Sequence, residues 1–201
     1  MIAIVDYGIG NLRSVQKALE YIGLKGNITS DKESIMNSEG IILPGVGAFP
    51  DAMDNLKIKG LDLILKGARD ANKPILGICL GMQLLFDESE EIRPCSGLGF
   101  IPGKIKRLYG KVKIPHMGWN SLNIINNDPI IKGIKEEDHV YFVHSFYAEM
   151  EFRENLIAEC SYGIQVPAVI GRGNVYGTQF HPEKSGDIGI KILKNFGELI
   201  K

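Results

Sequence analysis

The sequence predicts an α/β fold in three layers, a mostly parallel central sheet covered by helices on both faces, with antiparallel strands added to it. Three observations carry this expectation. In the first part of the chain, short runs of branched apolar residues alternate with apolar residues at helical spacing, as a parallel sheet requires when each crossover returns through a helix. At one of these strand-to-helix junctions stands Gly77-Ile78-Cys79-Leu80-Gly81, a G-x-C-x-G turn with the pattern of a nucleophile elbow. From about residue 97 to 179 the rhythm changes to strands and turns.

The elements follow in order. Residues 2–5 form a β-rich run that ends at Asp6-Tyr7-Gly8-Ile9-Gly10-Asn11, after which Leu12, Val15, Leu19 and Ile22 fall at helical spacing. Gly8-x-Gly10 does not complete a dinucleotide fingerprint, because Arg13 stands where the third glycine belongs. It reads as a tight turn with Asn11 capping the helix, at the ligand-bearing carboxyl end of the sheet. The next strand, Gly40-Ile41-Ile42-Leu43, leads into Pro44-Gly45-Val46-Gly47, followed by a helix over 61–71, a strand over 75–79 and the helix of the elbow. The acidic run 88–91 has the look of a solvated helix end. Further strands are expected around 103–106, 121–124, 141–143, 156–158, 168–170 and 174–178. Ile188, Ile192, Leu193, Phe196, Leu199 and Ile200 mark a closing amphipathic helix that starts at Ser185 or Asp187.

The chain has 201 residues, the size of one domain spanning 1–201. Its 23 basic and 24 acidic residues leave a net charge of −1, without the electrostatic footprint of a nucleic-acid or anionic-membrane binder. Apolar stretches stay far below the roughly 20 residues that cross a bilayer, and Met1 to Asp6 lacks the basic segment of a secretory signal. Three widely spaced cysteines (Cys79, Cys95, Cys160) suit a reducing compartment, so a cytoplasmic location is expected. His116, His139 and His144 lack metal-ligand spacing, and neither a metal nor a cofactor is expected.

The chemistry concentrates in two segments. The glycines flanking Cys79 give room for a strained turn, and a helix start aimed at the sulfur favours the reactive thiolate. Near the other end, Gln179-Phe180-His181-Pro182-Glu183 offers a base and its orienting acid. In an extended segment residues two apart share a side, which would let the His181 imidazole meet the Glu183 carboxylate and select the ring tautomer that serves Cys79. A lone histidine is more often a core or turn residue; the elbow and His-x-Glu together point to a Cys-His-Glu triad. Amide hydrolysis through a thioester also needs donors for the oxyanion, and the Leu80 N–H with Val46 or Gly47 are the candidates.

G-x-C-x-G-x-Gln combined with His181-Pro182-Glu183 resembles the class I glutamine amidotransferases, whose triad hydrolyses glutamine to release ammonia. Asp6 to Asn11, Pro44 to Phe49, His116-Met117-Gly118-Trp119-Asn120, Tyr141 to Ser145 and Gln179 to Ser185 further resemble a branch of that family. These segments span essentially the whole chain. In that branch the ammonia passes to a separate (β/α)8-barrel cyclase subunit in histidine biosynthesis, so a heterodimer is implied. The resemblance also implies that Gln83 and Glu91 contact the glutamine, with Glu91 meeting its ammonium, and that Ser145 and Phe146 line its carboxylate side. Phe146 stands where a tyrosine is common. Asn11, Trp119, Tyr141 and Lys184 fall in segments that the family places near the partner and are expected to relay its presence. Alternatives remain: the glutaminase of pyridoxal phosphate synthase, with a different oxyanion loop; a stand-alone Cys peptidase or γ-glutamyl hydrolase; or a non-catalytic module on the same fold.

Overall fold

The structure, a computed structural model, describes residues 1–200. Its first half alternates strands and helices: β1 (Ile2–Val5), α1 (Leu12–Tyr21), β2 (Gly26–Thr29), α2 (Lys32–Met36), β3 (Gly40–Gly45), α3 (Phe49–Ile58), α4 (Leu61–Asp70), β4 (Ile75–Cys79) and α5 (Leu80–Gln83). The second half runs β5 (Glu88–Ser89), β6 (Cys95–Ser96), β7 (Gly103–Arg107), β8 (His116–Ser121), β9 (Asn123–Ile124), β10 (His139–His144), β11 (Phe146–Met150), β12 (Leu156–Tyr162), β13 (Ile164–Arg172), β14 (Val175–Thr178) and α6 (Gly186–Leu199).

An eight-stranded sheet, ordered β2-β1-β3-β4-β14-β13-β12-β9, forms the centre. Its pairs from β2 through β14 are parallel, and those of β13, β12 and β9 are antiparallel. Successive side chains of a strand point to opposite faces, and this sheet buries both. Ile2 and Ile4 of β1, with Ile42 and Leu76, pack against Val15 and Leu19 of α1 and Ile192, Leu193 and Phe196 of α6. Ala3 and Val5, with Ile41, Leu43 and Ile75, pack on the other face against Leu56 of α3 and Leu61 and Leu65 of α4. The three layers expected from the alternation are therefore built by one strand's odd and even residues serving different cores.

The strand-rich segment departs from expectation in a way that matters for the site. Only β9, β12 and β13 extend the central sheet as antiparallel additions. β10 and β8 form a separate two-stranded ribbon, and β11-β7-β5-β6 a four-stranded sheet. The acidic run 88–91 is not a helix end: Glu88 and Ser89 pair with both β6 and β7, and Ser89 is buried. Asn11 occupies the N-cap of α1 but its side chain caps no backbone N–H; its Oδ1 accepts from the Ser14 hydroxyl at 2.7 Å. α6 begins at Gly186 with Ser185 at its cap position.

Cys79 ends β4, flanked by β3 and β14, and its backbone sits at φ 55°, ψ −112°, a conformation that costs a non-glycine residue strain. The flanking glycines make this turn possible. A Cβ on Gly81 would lie 1.7 Å from the Leu43 carbonyl oxygen, and one on Gly77 2.6 Å from the Gly81 carbonyl oxygen. Main chain from β3 and from α5 thus closes on the elbow, which no side-chain rearrangement can relieve. Gly81→Ala is expected to destabilise the fold by about 3 kcal/mol or more, as overpacking against backbone does. Gly60→Ala, at a left-handed position with nothing within 4 Å, should cost only about 1–2 kcal/mol. Urea denaturation of the two variants checks the contrast, and equal losses would refute the packing account of the elbow.

Candidate active site

The parallel strands deliver their carboxyl ends to one edge. β1 opens into the Asp6 to Asn11 loop, β3 into Val46 and Gly47, β4 ends on Cys79, and β14 runs through Gln179 and Phe180 to His181. A cleft of about 340 Å³ lies there, lined by Val46, Gly47, Cys79, Leu80, Gln83, Glu91, Ser145, Phe146 and His181 together with Pro115, Val143 and His144. Every triad, oxyanion and glutamine-contact candidate from the sequence except Glu183 lines this cleft, and Glu183 stands directly behind His181. The volume suits an amino-acid-sized ligand.

His181 and Glu183 meet, but not along an extended strand. His181 precedes a short 3-10 turn, Pro182–Lys184, that brings the Glu183 carboxylate back to the ring. Oε1 accepts from His181 Nδ1 at 2.9 Å, with both side chains almost fully buried. The bond leaves Nε2 to face Cys79. Burial alone would lower the His181 pKa, yet the nearby Cys79 sulfur and the hydrogen bond and charge of Glu183 outweigh it and raise the value to about 9. Nε2 and Glu183 Oε2 are buried without hydrogen-bond partners. The Cys79 thiol points toward the Val143 carbonyl at 3.8 Å, and no hydrogen bond joins it to His181 Nε2. Hydrogen bonds between such pairs are often long or poorly aligned until a substrate is bound.

The elbow helix is shorter than the sequence suggests: α5 is one turn, so a long aligned dipole does not act on the sulfur. What remains is local. The N–H of Leu80, the first helical residue, has no intrahelical acceptor, and Val46 and Gly47 stand exposed at the cleft, Gly47 at φ 97°. Behind that loop, the buried Tyr7 hydroxyl donates to the Pro44 carbonyl at 2.8 Å. Tyr7 thereby anchors the start of the loop, a role its place in the glycine-rich turn does not announce.

Glu91 keeps one oxygen engaged, accepting from the Phe49 N–H at the start of α3 at 2.8 Å. Burial raises its pKa, and the Phe49 hydrogen bond and the Asp51 charge act in opposite senses against that background. Gln83 is buried and structurally committed: its Nε2 donates to the Phe146 carbonyl and to Gln179 Oε1, each at 3.0 Å. Gln179 in turn directs Nε2 at the Cys79 sulfur from 3.8 Å. Its position beside the Phe180-His181 motif was the only sequence signal for it.

The expected relay residues fall into two groups. Trp119 and Tyr141 are register partners on β8 and β10, with rings edge-on at 6.1 Å and Trp119 58% exposed. The Tyr141 carbonyl accepts from the His181 N–H at 3.1 Å, tying this ribbon to the base. Asn11 lies on the other side, its Nδ2 donating to Glu183 Oε1 at 3.3 Å, while Lys184 is exposed on the adjoining turn. Among the described residues no group of three His, Cys, Asp or Glu side chains could hold a metal, and no helix is long and apolar enough to cross a membrane.

The sign of the His181 shift is testable. A histidine whose folded pKa lies above its unfolded value lends stability that is fully present below about 6.5 and lost as pH rises through about 9. Imidazole NMR should show His181 titrating near 9, and Glu183→Gln should bring that value down. A titration at an unperturbed position, unmoved by Glu183→Gln, would refute the assigned cause.

Comparison with known proteins places this geometry. The family model "Glutamine amidotransferase class-I" matches residues 3–199. The imidazole glycerol phosphate synthase subunit HisH of Bacillus cereus (strain G9842) is 54% identical over 201 residues, all of this chain and 96% of that protein. The protein of the same description from Bacillus thuringiensis (strain Al Hakam) is 53% identical over the same span. In fold, the structure of PurLQS from Thermotoga maritima superposes with a TM-score of 0.78 at 23% identity, covering 100% of this chain and 98% of that one. The chain belongs to the class I glutamine amidotransferase family.

Proposed function

We propose that this chain is the glutaminase subunit of an imidazole glycerol phosphate synthase, folded as one domain over 1–201 and working in the cytoplasm. It hydrolyses glutamine and passes the ammonia to a (β/α)8-barrel cyclase subunit that makes imidazole glycerol phosphate and aminoimidazole carboxamide ribotide in histidine biosynthesis. The observation that carries this reading is the buried His181–Glu183 pair beside an elbow cysteine, in a chain 54% identical over its full length to a subunit of that synthase. That identity favours this branch over the pyridoxal phosphate branch and over a stand-alone peptidase.

In the proposed mechanism His181 holds the proton of the Cys79 thiol as an imidazolium, and the resulting thiolate attacks the side-chain amide carbon of glutamine. The Leu80 N–H and a Val46 or Gly47 N–H take the negative charge that develops on the oxygen. His181, protonated at neutral pH, gives its Nε2 proton to the leaving nitrogen, so ammonia departs and a γ-glutamyl thioester remains. The neutral imidazole then takes a proton from water as the water attacks the thioester; glutamate leaves, its acid proton passing to solvent, and the Cys79 thiolate is regenerated beside the imidazolium. Glu183 holds Nδ1 throughout and stabilises the imidazolium. The free oxygen of Glu91 suits the substrate ammonium, and backbone at Ser145 and Phe146 its carboxylate. Gln83 lines the same cleft, with its amide nitrogen held by Phe146 and Gln179.

The partner is proposed to dock over Trp119, Tyr141, Asn11 and Lys184. Two of these touch the triad directly, Tyr141 through the His181 N–H and Asn11 through Glu183. Docking there can select a Val46–Gly47 conformation that serves the oxyanion, which couples hydrolysis to a waiting acceptor.

With the cyclase present, Cys79→Ala is expected to lower glutamine-dependent product formation by about 10⁴-fold or more while ammonia-supported formation stays near wild type. His181→Ala should be nearly as damaging, and Glu183→Gln less so by about tenfold or more. Steady-state assays with either nitrogen donor, run with and without the cyclase and its nucleotide, check all of this. Glutamine hydrolysis by Cys79→Ala near the wild-type rate would sink the nucleophile assignment, and full activity of the chain alone would sink the docking account.

A further inference from the structure

The two buried histidines that the mechanism leaves unused form the middle of a hydrogen-bond chain whose every proton can be assigned. His116 Nδ1 lies 3.0 Å from His144 Nε2, and His144 Nδ1 lies 2.8 Å from the Phe146 carbonyl oxygen. A carbonyl only accepts, so His144 carries its proton on Nδ1, and its neutral ring must accept at Nε2. His116 must then donate from Nδ1 and accept at Nε2.

The other end of the chain gives the same answer independently. Asn120 Nδ2 reaches the Ser161 carbonyl at 3.1 Å and His116 Nε2 at 3.4 Å, while Asn120 Oδ1 accepts from the Ser121 N–H at 2.8 Å. Those backbone partners fix which end of the amide is nitrogen, and the nitrogen donates to His116. Beyond Phe146 the assignment continues. The Phe146 carbonyl also accepts from Gln83 Nε2, whose second proton goes to Gln179 Oε1, leaving Gln179 Nε2 to face the Cys79 sulfur.

We propose that His116 and His144 are positioning residues: a relay of fixed tautomers that runs from Asn120, beside the exposed Trp119, to the Phe146 carbonyl and holds the segment 143–146 and Gln83 in the geometry that binds glutamine. The proposal rests on the reading of the cleft as a glutamine site. Packing supports it, because the His116 ring is sandwiched between Phe142 and Tyr162 at centroid distances of 4.6 and 3.8 Å. A ring clamped on both faces cannot flip to offer the wrong nitrogen. Burial lowers the pKa of His116 to about 4 and is the main cause lowering that of His144 to about 3, so both rings are neutral at pH 7 and each has one donor and one acceptor. A pair of imidazolium rings would present two donors to each other and break the chain.

The test uses the chain in complex with its cyclase and the isolated chain for spectroscopy. Two-bond proton–nitrogen correlation with labelled histidine should find both His116 and His144 protonated on Nδ1 alone. His144→Leu, which leaves the Phe146 carbonyl one donor short, should raise the KM for glutamine by about tenfold with a smaller change in kcat. His144→Asn, whose amide nitrogen can replace the Nδ1 donor, should restore KM to within about threefold of wild type by the same arithmetic. His116→Phe keeps the aromatic stack but leaves the buried His144 Nε2 without its donor, and should raise KM while the Phe146 carbonyl still holds the His144 proton on Nδ1. Either ring found as the Nε2 tautomer, or wild-type KM in both His144→Leu and His116→Phe, would overturn the relay. Should the wild-type complex hydrolyse no glutamine, the glutaminase reading fails, while the tautomers still decide the hydrogen-bond chain.

Discussion

The site depends on one strained residue. Cys79 holds a left-handed backbone at the end of a central parallel strand, and nothing about cysteine favours that conformation. The surrounding main chain enforces it. Leu43 of β3 approaches so closely that only glycine fits at 81, and Gly81 in turn leaves space only for glycine at 77. This interlocking fixes where the sulfur points relative to both neighbouring strands. Because β14 is paired with β4 through Thr178↔Ile78, the same sheet register that creates the elbow also delivers His181 next to it.

The edge of the sheet then acts as an assembly point for groups far apart in sequence. The Tyr7 hydroxyl after β1 holds the Pro44 carbonyl before the exposed Val46–Gly47 loop. Asn11, from the same turn as Tyr7, reaches Glu183. The ribbon β8–β10 adds a third direction through the Tyr141 carbonyl on His181 and the Val143 carbonyl under the thiol. Apart from Asn11 with Glu183, which joins two side chains, each of these contacts uses a backbone carbonyl as acceptor, so the positions of the loop, His181 and Glu183 are set by hydrogen bonding as much as by packing.

What was legible in the sequence follows from locality. The alternation 2–5, 40–43 and 75–79 is a pattern within single segments, as is the apolar stripe of α6, and the two glycines beside Cys79 state a backbone requirement directly. α3 was not visible because it opens with Phe49-Pro50, which reads as a breaker in isolation and is tolerated only because the first helical turn needs no N–H from proline. The strand-rich half misled in part, since a strand's identity does not say which edge it will join, and the expected strands at 103–106 and 141–143, β7 and β10, found partners outside the central sheet. The meeting of His181 and Glu183 was foreseen for the wrong reason: a 3-10 turn brings them together, not strand periodicity. Gln179, Tyr7 and the histidine pair escaped notice because their importance lies in what they touch across the fold, information that spacing along the chain does not hold.

The central claim is that this geometry singles out Cys79 among three buried cysteines as the atom that bonds to substrate. Acid quench of the cyclase complex while it turns over glutamine, followed by peptide mass mapping, would locate the covalent intermediate directly. A γ-glutamyl adduct on the peptide containing Cys79, with Cys95 and Cys160 unmodified, is the predicted result. An adduct on Cys95 or Cys160, or none in a complex that is hydrolysing glutamine with a slow deacylation step, would contradict it.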